Sequence, residues 1–249
     1  MPARRFRVSA GALAAAPAGT TIALSEEEAR HLRVMRLKSG DAVELFDGAG
    51  QVATGVVVDP TVDRVGIRVD AARAATVESP VAVTLIQAVP VKPQRLDTTV
   101  RLCTELGVAR IVPVVSEHSQ GPGGHEALQR RVGRWGRIAE AAAKQSGRSV
   151  VPSVADVMPL GQLDWDELPS ARWVLEPRAG RSLVEAVAGE PHERCVLFVG
   201  PEGGWSSDEV EMLIGQNADL VGLGPRVLRA DSAGPVALAL IQAAWGDLA

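Results

Sequence analysis

Val196-Leu197-Phe198-Val199-Gly200-Pro201-Glu202-Gly203-Gly204-Trp205-Ser206 decides the fold class of this 249-residue chain. The first four residues read as a short apolar strand, the glycines and proline as a turn. Ser206, with Glu209 three positions on, forms a capping-box signature that opens a helix. Ligands of open α/β sheets bind where the carboxyl ends of strands meet such loops, because backbone amides are free there and glycine permits close approach. A second loop of the same kind follows, Gly222-Leu223-Gly224-Pro225-Arg226-Val227-Leu228-Arg229-Ala230-Asp231-Ser232-Ala233. Two such loops in one C-terminal half suggest a ligand held between backbone segments.

Working outward, residues 81–89 form another continuous apolar run, as expected of a strand covered on both faces. Pro93 stands at a helix start. Leu96, Val100, Cys103 and Leu106 share one face at helical spacing, and Gly107 is placed as the stop. Residues 111–115 read as a strand and about 126–146 as a long helix, followed by strands near 172–175, 195–199 and 219–223 and a last helix from about Ala233 to Trp245. This alternation predicts a mostly parallel sheet with helices on both sides. Residues 1–75 differ: β-branched segments at 42–46, 51–59 and 64–71 lie between turn signals such as Asp47-Gly48 and Asp59-Pro60, with one helix opened by Ser25-Glu26-Glu27-Glu28. They suggest a small barrel, with a domain boundary in the small-residue stretch 71–80.

Charge is unevenly spread. The net charge is −4, yet residues 1–40 carry seven Lys/Arg against three Asp/Glu, and residues 92–150 carry ten against five. Local basic segments matter more than the total for attracting phosphates. Solvated helix faces would give the same counts. With no Tyr and three Phe, base stacking on aromatic platforms is disfavoured, and arginine would carry most RNA reading. No apolar run reaches the roughly 18 residues of a membrane span. The Arg-rich start followed by Ala residues is closed by Pro17, and a cytoplasmic protein is expected rather than a secreted one. Cys103 and Cys195 match no metal or redox spacing and read as buried thiols.

Several chemistries are disfavoured by motif. Neither glycine loop fits Gly-x-Gly-x-x-Gly with a following acidic residue, and no Gly-Lys-Ser/Thr occurs. Gly121-Pro122-Gly123-Gly124 reads as a connection. His31, His118, His125 and His192 show no ligand spacing, so no metal site is expected, and no serine sits in a nucleophile elbow.

The two C-terminal loops resemble the cofactor loops of the trefoil-knotted SPOUT methyltransferases. His31-Leu32-Arg33-Val34-Met35-Arg36-Leu37-Lys38-Ser39-Gly40-Asp41, Thr104-Glu105-Leu106-Gly107, Ala141-Ala142-Ala143-Lys144-Gln145-Ser146-Gly147-Arg148 and residues 199–204 and 223–229 narrow the resemblance to the RsmE family. That family methylates N3 of a uridine in 16S ribosomal RNA. The resemblance implies an α/β fold: a PUA-like β-barrel over 1–75 for RNA docking and a knotted domain with a mostly parallel sheet over 76–249. It also implies a homodimer and S-adenosylmethionine as cofactor. The adenosine is then expected against Gly200, Pro201, Gly203, Leu223, Gly224, Pro225, Val227 and Leu228, with Leu175 and Glu176 as a third wall. Arg229 is the candidate for stabilising the uridinate oxygens, since its planar fork suits two acceptors; a salt bridge to Asp231 or Glu202 is its structural alternative. Asp231 and Glu202 are two candidates for the base, and Glu202 has the alternative of bracing its own turn. RNA contacts are expected at Arg7, Arg33, Arg36, Lys92, Arg95, Arg134, Gln145 and Arg148. Two departures stand out: Asp231-Ser232 where the family has Glu-Thr, and His118 where it commonly has arginine. Competing readings are a ribose 2′-O-methyltransferase, a non-catalytic RNA-binding assembly factor and, more distantly, a nicotinamide enzyme.

Overall fold

The computed structural model describes residues 4–60, 64–75, 77–119 and 124–248. The glycine-proline stretch at 121–123 lies outside the described residues, as does the side chain of His125. Contacts divide the chain into two compact units: Met1–Glu78 with Ala143–Val151, and Ser79–Ala142 with Pro152–Ala249.

The first unit contains β1 (Arg5–Arg7), β2 (Thr21–Ala23), α1 (Glu26–Val34), β3 (Ala42–Phe46), β4 (Gln51–Asp59), β5 (Gly66–Val69) and β6 (Arg73–Ala74). They form a six-stranded sheet in the order β1-β3-β4-β5-β2, with β6 on β4. Among the described residues, only the β1–β3 pairing of this sheet is parallel. Ser25 caps α1 by accepting from the Glu28 amide, as its sequence predicts. Phe6, Leu13, Leu32, Leu45 and Ile67 fill the core with almost no exposure. The three-residue strands β1 and β2 carry too little alternation to be read from sequence.

The second unit contains β7 (Ala82–Ala88), α2 (Leu96–Glu105), β8 (Arg110–Val115), α3 (Gly124–Ser146, its last four residues belonging to the first unit), β9 (Ser153–Val154), β10 (Met158–Pro159), β11 (Ala171–Leu175), α4 (Leu183–Ala186), β12 (Arg194–Val199), α5 (Ser207–Gly215), β13 (Asp219–Val221) and α6 (Ala230–Trp245). The sheet order is β10-β8-β7-β12-β11-β13, with β9 on β8, and every described pairing is parallel. Gly107 ends α2 at φ +88°, the left-handed geometry for which glycine is favoured. A Cβ there would come within 2.7 Å of Gln242 Nε2. α6 packs on α2, β7, β12 and α4. It begins three residues earlier than expected because Arg229 already serves as its N-cap. β13 stops at Val221 rather than 223, since beyond it only Gly222 still pairs, as a single bridge to Ser182.

Residues 143–151 return to the first unit through charge. Arg5 is 4 % exposed. Its Nη1 donates to the carbonyls of Ala143, Lys144 and Arg148 at 3.4, 3.4 and 3.1 Å, while Nε donates to Glu44 at 2.6 Å. The end of α3 leaves carbonyls without helical partners, and a guanidinium there satisfies them and complements the helix dipole. The Glu78 carboxylate takes Arg148 at 2.8 and 3.0 Å and the amides of Ser149 and Val150 at 2.8 and 2.9 Å. Lys144 reaches Glu28 at 2.6 Å.

Candidate active site

β12, β11 and β13 are adjacent and parallel, so their carboxyl ends open on one edge of the sheet. Three loops leave that edge: 176–182, 200–206 and 222–229. The first and third are stitched together. The Glu176 amide donates to Val221 O at 3.0 Å, the Gly222 amide to Arg181 O at 2.9 Å, and the Leu183 amide to Gly222 O at 2.9 Å. From 223 to 228, by contrast, no intrachain backbone hydrogen bond forms among the described residues. Leu223 and Leu228 are half-buried; Gly224, Pro225 and Val227 are exposed, and Gly224 lies at φ +94°. This is a shaped loop with free amides and carbonyls, the property a nucleoside-binding edge requires.

The middle loop is held from several sides. A Cβ on Gly200 would approach the buried Trp205 ring to 3.3 Å, and one on Gly203 would approach His118 to 3.1 Å. Pro201 is buried. His118 Nδ1 donates to the Gly204 carbonyl at 3.0 Å, so this histidine braces the loop. Glu209 joins the capping box of α5 to the loop after β8, accepting from Ser206 N at 2.9 Å and Glu117 N at 2.8 Å. Gln87, 1 % exposed, donates to the carbonyls of Ala88 and Val199 at 3.2 and 3.4 Å, tying β7 to β12 where the loop departs. Sequence reasoning singled out neither Trp205 nor Gln87 as a site residue. A buried glutamine inside a predicted apolar strand was the available signal.

Beside these loops lies a cleft of about 530 Å³ lined by Val91, Lys92, Pro93, Gln94, Arg95, Thr98 and Asp231. Its walls are the segment that follows β7, the start of α2 and the first turn of α6, beyond the carboxyl end of a strand, the usual ligand position in open parallel sheets. Glu202 borders it, with Oε1 2.7 Å from Arg95 Nη1 and Oε2 accepting from the Val91 amide at 2.9 Å. Burial raises its pKa, but the bonds from Val91 and Arg95 outweigh that and hold the carboxyl below its ordinary value. Arg229 Nε stands 3.4 Å from Asp231 Oδ1. Leu175 is buried at the strand end, and the Glu176 carboxylate accepts from the Arg178 amide at 3.2 Å.

The expected RNA cations fall into distinct settings. Lys92 and Arg95 line the cleft. Arg36 is exposed in the left-handed region at φ 56° just after α1, and Gln145 is exposed on α3. Arg33 Nε donates to Pro60 O at 3.3 Å. Arg7 is half-buried over Gly48, where a Cβ would come 3.3 Å from its Nε. Arg134 is exposed and grips Asp97 through Nε and Nη2 at 2.9 and 2.8 Å. Arg148 departs from an RNA-facing position: it is 6 % exposed and paired with Glu78, so a phosphate would have to displace that carboxylate. Both cysteines are buried, and desolvation raises the Cys195 thiol to about 12. Among the described residues no cluster of potential metal ligands forms, and no helix is long and apolar enough to cross a membrane.

Comparison with known proteins gives two family models. An RNA methyltransferase domain matches residues 77–242 and an RNA methyltransferase PUA domain residues 24–69. Ribosomal RNA small subunit methyltransferase E of Synechocystis sp. is 32% identical over 231 residues, covering 90% of this chain and 73% of that protein. Its Bacillus subtilis counterpart is 31% identical over 230 residues, covering 89% and 90%. Among solved structures, the Neisseria gonorrhoeae ribosomal RNA small subunit methyltransferase E bound to S-adenosyl methionine aligns with a TM-score of 0.87 at 30% identity, covering 99% of this chain and all of that one.

Proposed function

Since this chain belongs to the ribosomal RNA small subunit methyltransferase E family, we propose that it uses S-adenosylmethionine to methylate N3 of a uridine in 16S ribosomal RNA. The observation that carries this reading is the shared edge of the loops at 176–182, 200–206 and 222–229, with the Lys92/Arg95/Asp231 cleft beside it. The free main chain of 223–228 and the turn at 200–203 suit an adenosine. Gly200, Pro201, Gly203, Leu223, Gly224, Pro225, Val227 and Leu228 would hold it, with Leu175 and Glu176 as the remaining wall. The bound cofactor supplies an electrophilic methyl on a sulfonium.

What the protein's own groups must do follows from uracil. N3 carries a proton and is a poor nucleophile at neutral pH, so the site must accept that proton and hold the resulting anion. We assign the base to Asp231, largely shielded at 17% exposure and facing the cleft. Glu202 is engaged at both oxygens and held low in pKa, which suits it to positioning Arg95 rather than to taking a proton. Arg229 approaches Asp231 most closely through Nε, which directs its Nη pair to the uridinate oxygens. In-line positioning and exclusion of water contribute the rest.

Residues 1–75 form the PUA-like barrel that docks RNA, and residues 76–249 form the transferase domain. The strand leaving β13, laced to 181–183 before α6 crosses back to β7 and β12, is the segment we take to close a trefoil knot. The working form is a cytoplasmic homodimer. Nucleoside analysis of ribosomal RNA from cells lacking the protein tests the reaction. Loss of 3-methyluridine from the small subunit, restored by adding the protein back, is the expected result. Loss of a ribose-methylated nucleoside instead would overturn it.

A further inference from the structure

One strongly charged surface of the second unit lies outside the cleft, and of its residues only Arg134 is among the RNA contacts expected above. α3 buries Leu128, Trp135, Ala139 and Ala142 and exposes the opposite face, where Glu126, Arg130, Gly133, Arg134, Arg137 and Ala141 follow helical spacing. Three arginines share this face with two small residues and one acidic residue at its beginning. Resting on the RNA-methyltransferase reading, we propose that this arginine face of α3 tracks the RNA backbone, with phosphates drawn close over Gly133.

Three observations carry this. Asp97 fixes the helix from beneath, accepting Trp135 Nε1 at 3.2 Å on one oxygen and Arg134 Nε and Nη2 on the other. The arginine row is therefore anchored on a rigid element rather than on a loop. Second, Gly133 and Gly136 stand in the middle of a long helix, where glycine is a poor helix former. No described atom lies within 4 Å of a Cβ built on either. The fold itself gives these glycines no packing role. A close-approaching backbone would. Third, Arg137 Nε donates to the Gly133 carbonyl at 3.3 Å, which lays that guanidinium across the open patch, while Arg130 has no acidic partner among the described residues. Charge complementarity selects a polyphosphate chain over a protein surface. Arginine also matches phosphate through its planar fork.

The test titrates small-subunit ribosomal RNA, extracted from cells lacking the protein, with wild type, the pair Arg130→Glu/Arg137→Glu, and Gly133→Leu over a salt series. The double reversal is expected to weaken binding roughly ten-fold or more at low salt and to flatten the log–log salt slope by about 2. Gly133→Leu, which fills open space on the free protein, should keep its melting temperature and bind RNA several-fold more weakly. S-adenosylmethionine affinity should be unchanged in both. Wild-type affinity and slope in the double variant would overturn the proposal. So would a shift in oligomeric state, seen by sedimentation, that accounts for the lost binding, because the face would then join two copies. Methyl transfer by the wild type is measured in parallel on small subunits from the same cells. Its absence counts against the enzymatic reading, while the binding arms judge this surface.

Discussion

Arg229 Nε and Asp231 Oδ1 lie 3.4 Å apart, with the arginine side chain 65% exposed and the aspartate 17%. The pair bridges the N-cap and first turn of α6, where the helix dipole favours a negative group. A shielded carboxylate that lines the cleft thus holds an exposed guanidinium beside it, and removing either should affect transfer more than folding.

Arg229→Ala should lower the methyl-transfer rate by about 10²–10³, the range found when one donor to a developing oxyanion is removed. Arg229→Lys should recover little of it, because an ammonium cannot offer a planar fork. Steady-state kinetics with a melting curve decides this. A well-folded alanine variant at near wild-type rate would remove the assignment.

Gly224→Ala places a methyl on a residue at φ +94°. The strain should cost on the order of 1 kcal/mol and distort the loop whose main chain is free. Calorimetric titration should show S-adenosylmethionine binding weakened about ten-fold, with the first unit's stability untouched.

The Glu202 carboxyl titrates below its unfolded value, so its clamp on Arg95 and Val91 contributes fully above the ordinary carboxylate range, near pH 4.3. That contribution fades as pH falls through the lowered value. Glu202→Gln should therefore melt below wild type by a constant margin from about pH 8 to 5, and the gap should close in stronger acid. A gap that widens on acidification would contradict the clamp.

Arg5→Ala should destabilise the first unit by about 3 kcal/mol, since it strips three carbonyls and Glu44 of a buried charged partner. Denaturant unfolding measures the loss directly. Arg5→Lys should restore only part of it, because a single ammonium cannot span all four acceptors.

How far the sequence reached follows from the range of each signal. Ser206/Glu209 and Ser25/Glu28 both read as capping boxes within three residues; the first closes in both directions, while at α1 Ser25 accepts from the Glu28 amide and the Glu28 carboxylate turns to Lys144 instead. The apolar run at 81–89 and the stop at Gly107 are equally local, and they too match β7 and the end of α2. Arg148 was beyond reach. It reads as one more cation in a basic stretch, and only its pairing with Glu78, seventy positions away, turns it inward. The bracing of Gly204 by His118 is hidden for the same reason: it joins residues that follow different strands.

By itself the amino-acid order determined five of the parallel strands (though not the two-residue β9 and β10), where their glycine loops fall, and, through motif resemblance, the chemical family. Those properties depend on periodicity and backbone freedom within a few residues. Tertiary structure alone decided that β11, β12 and β13 lie side by side and bring three distant loops to one edge. It also decided which arginines are spent on internal carboxylates, as Arg148 is on Glu78. Charge–charge and strand–strand pairings are made across space, and a guanidinium carries no local mark of the partner that will claim it.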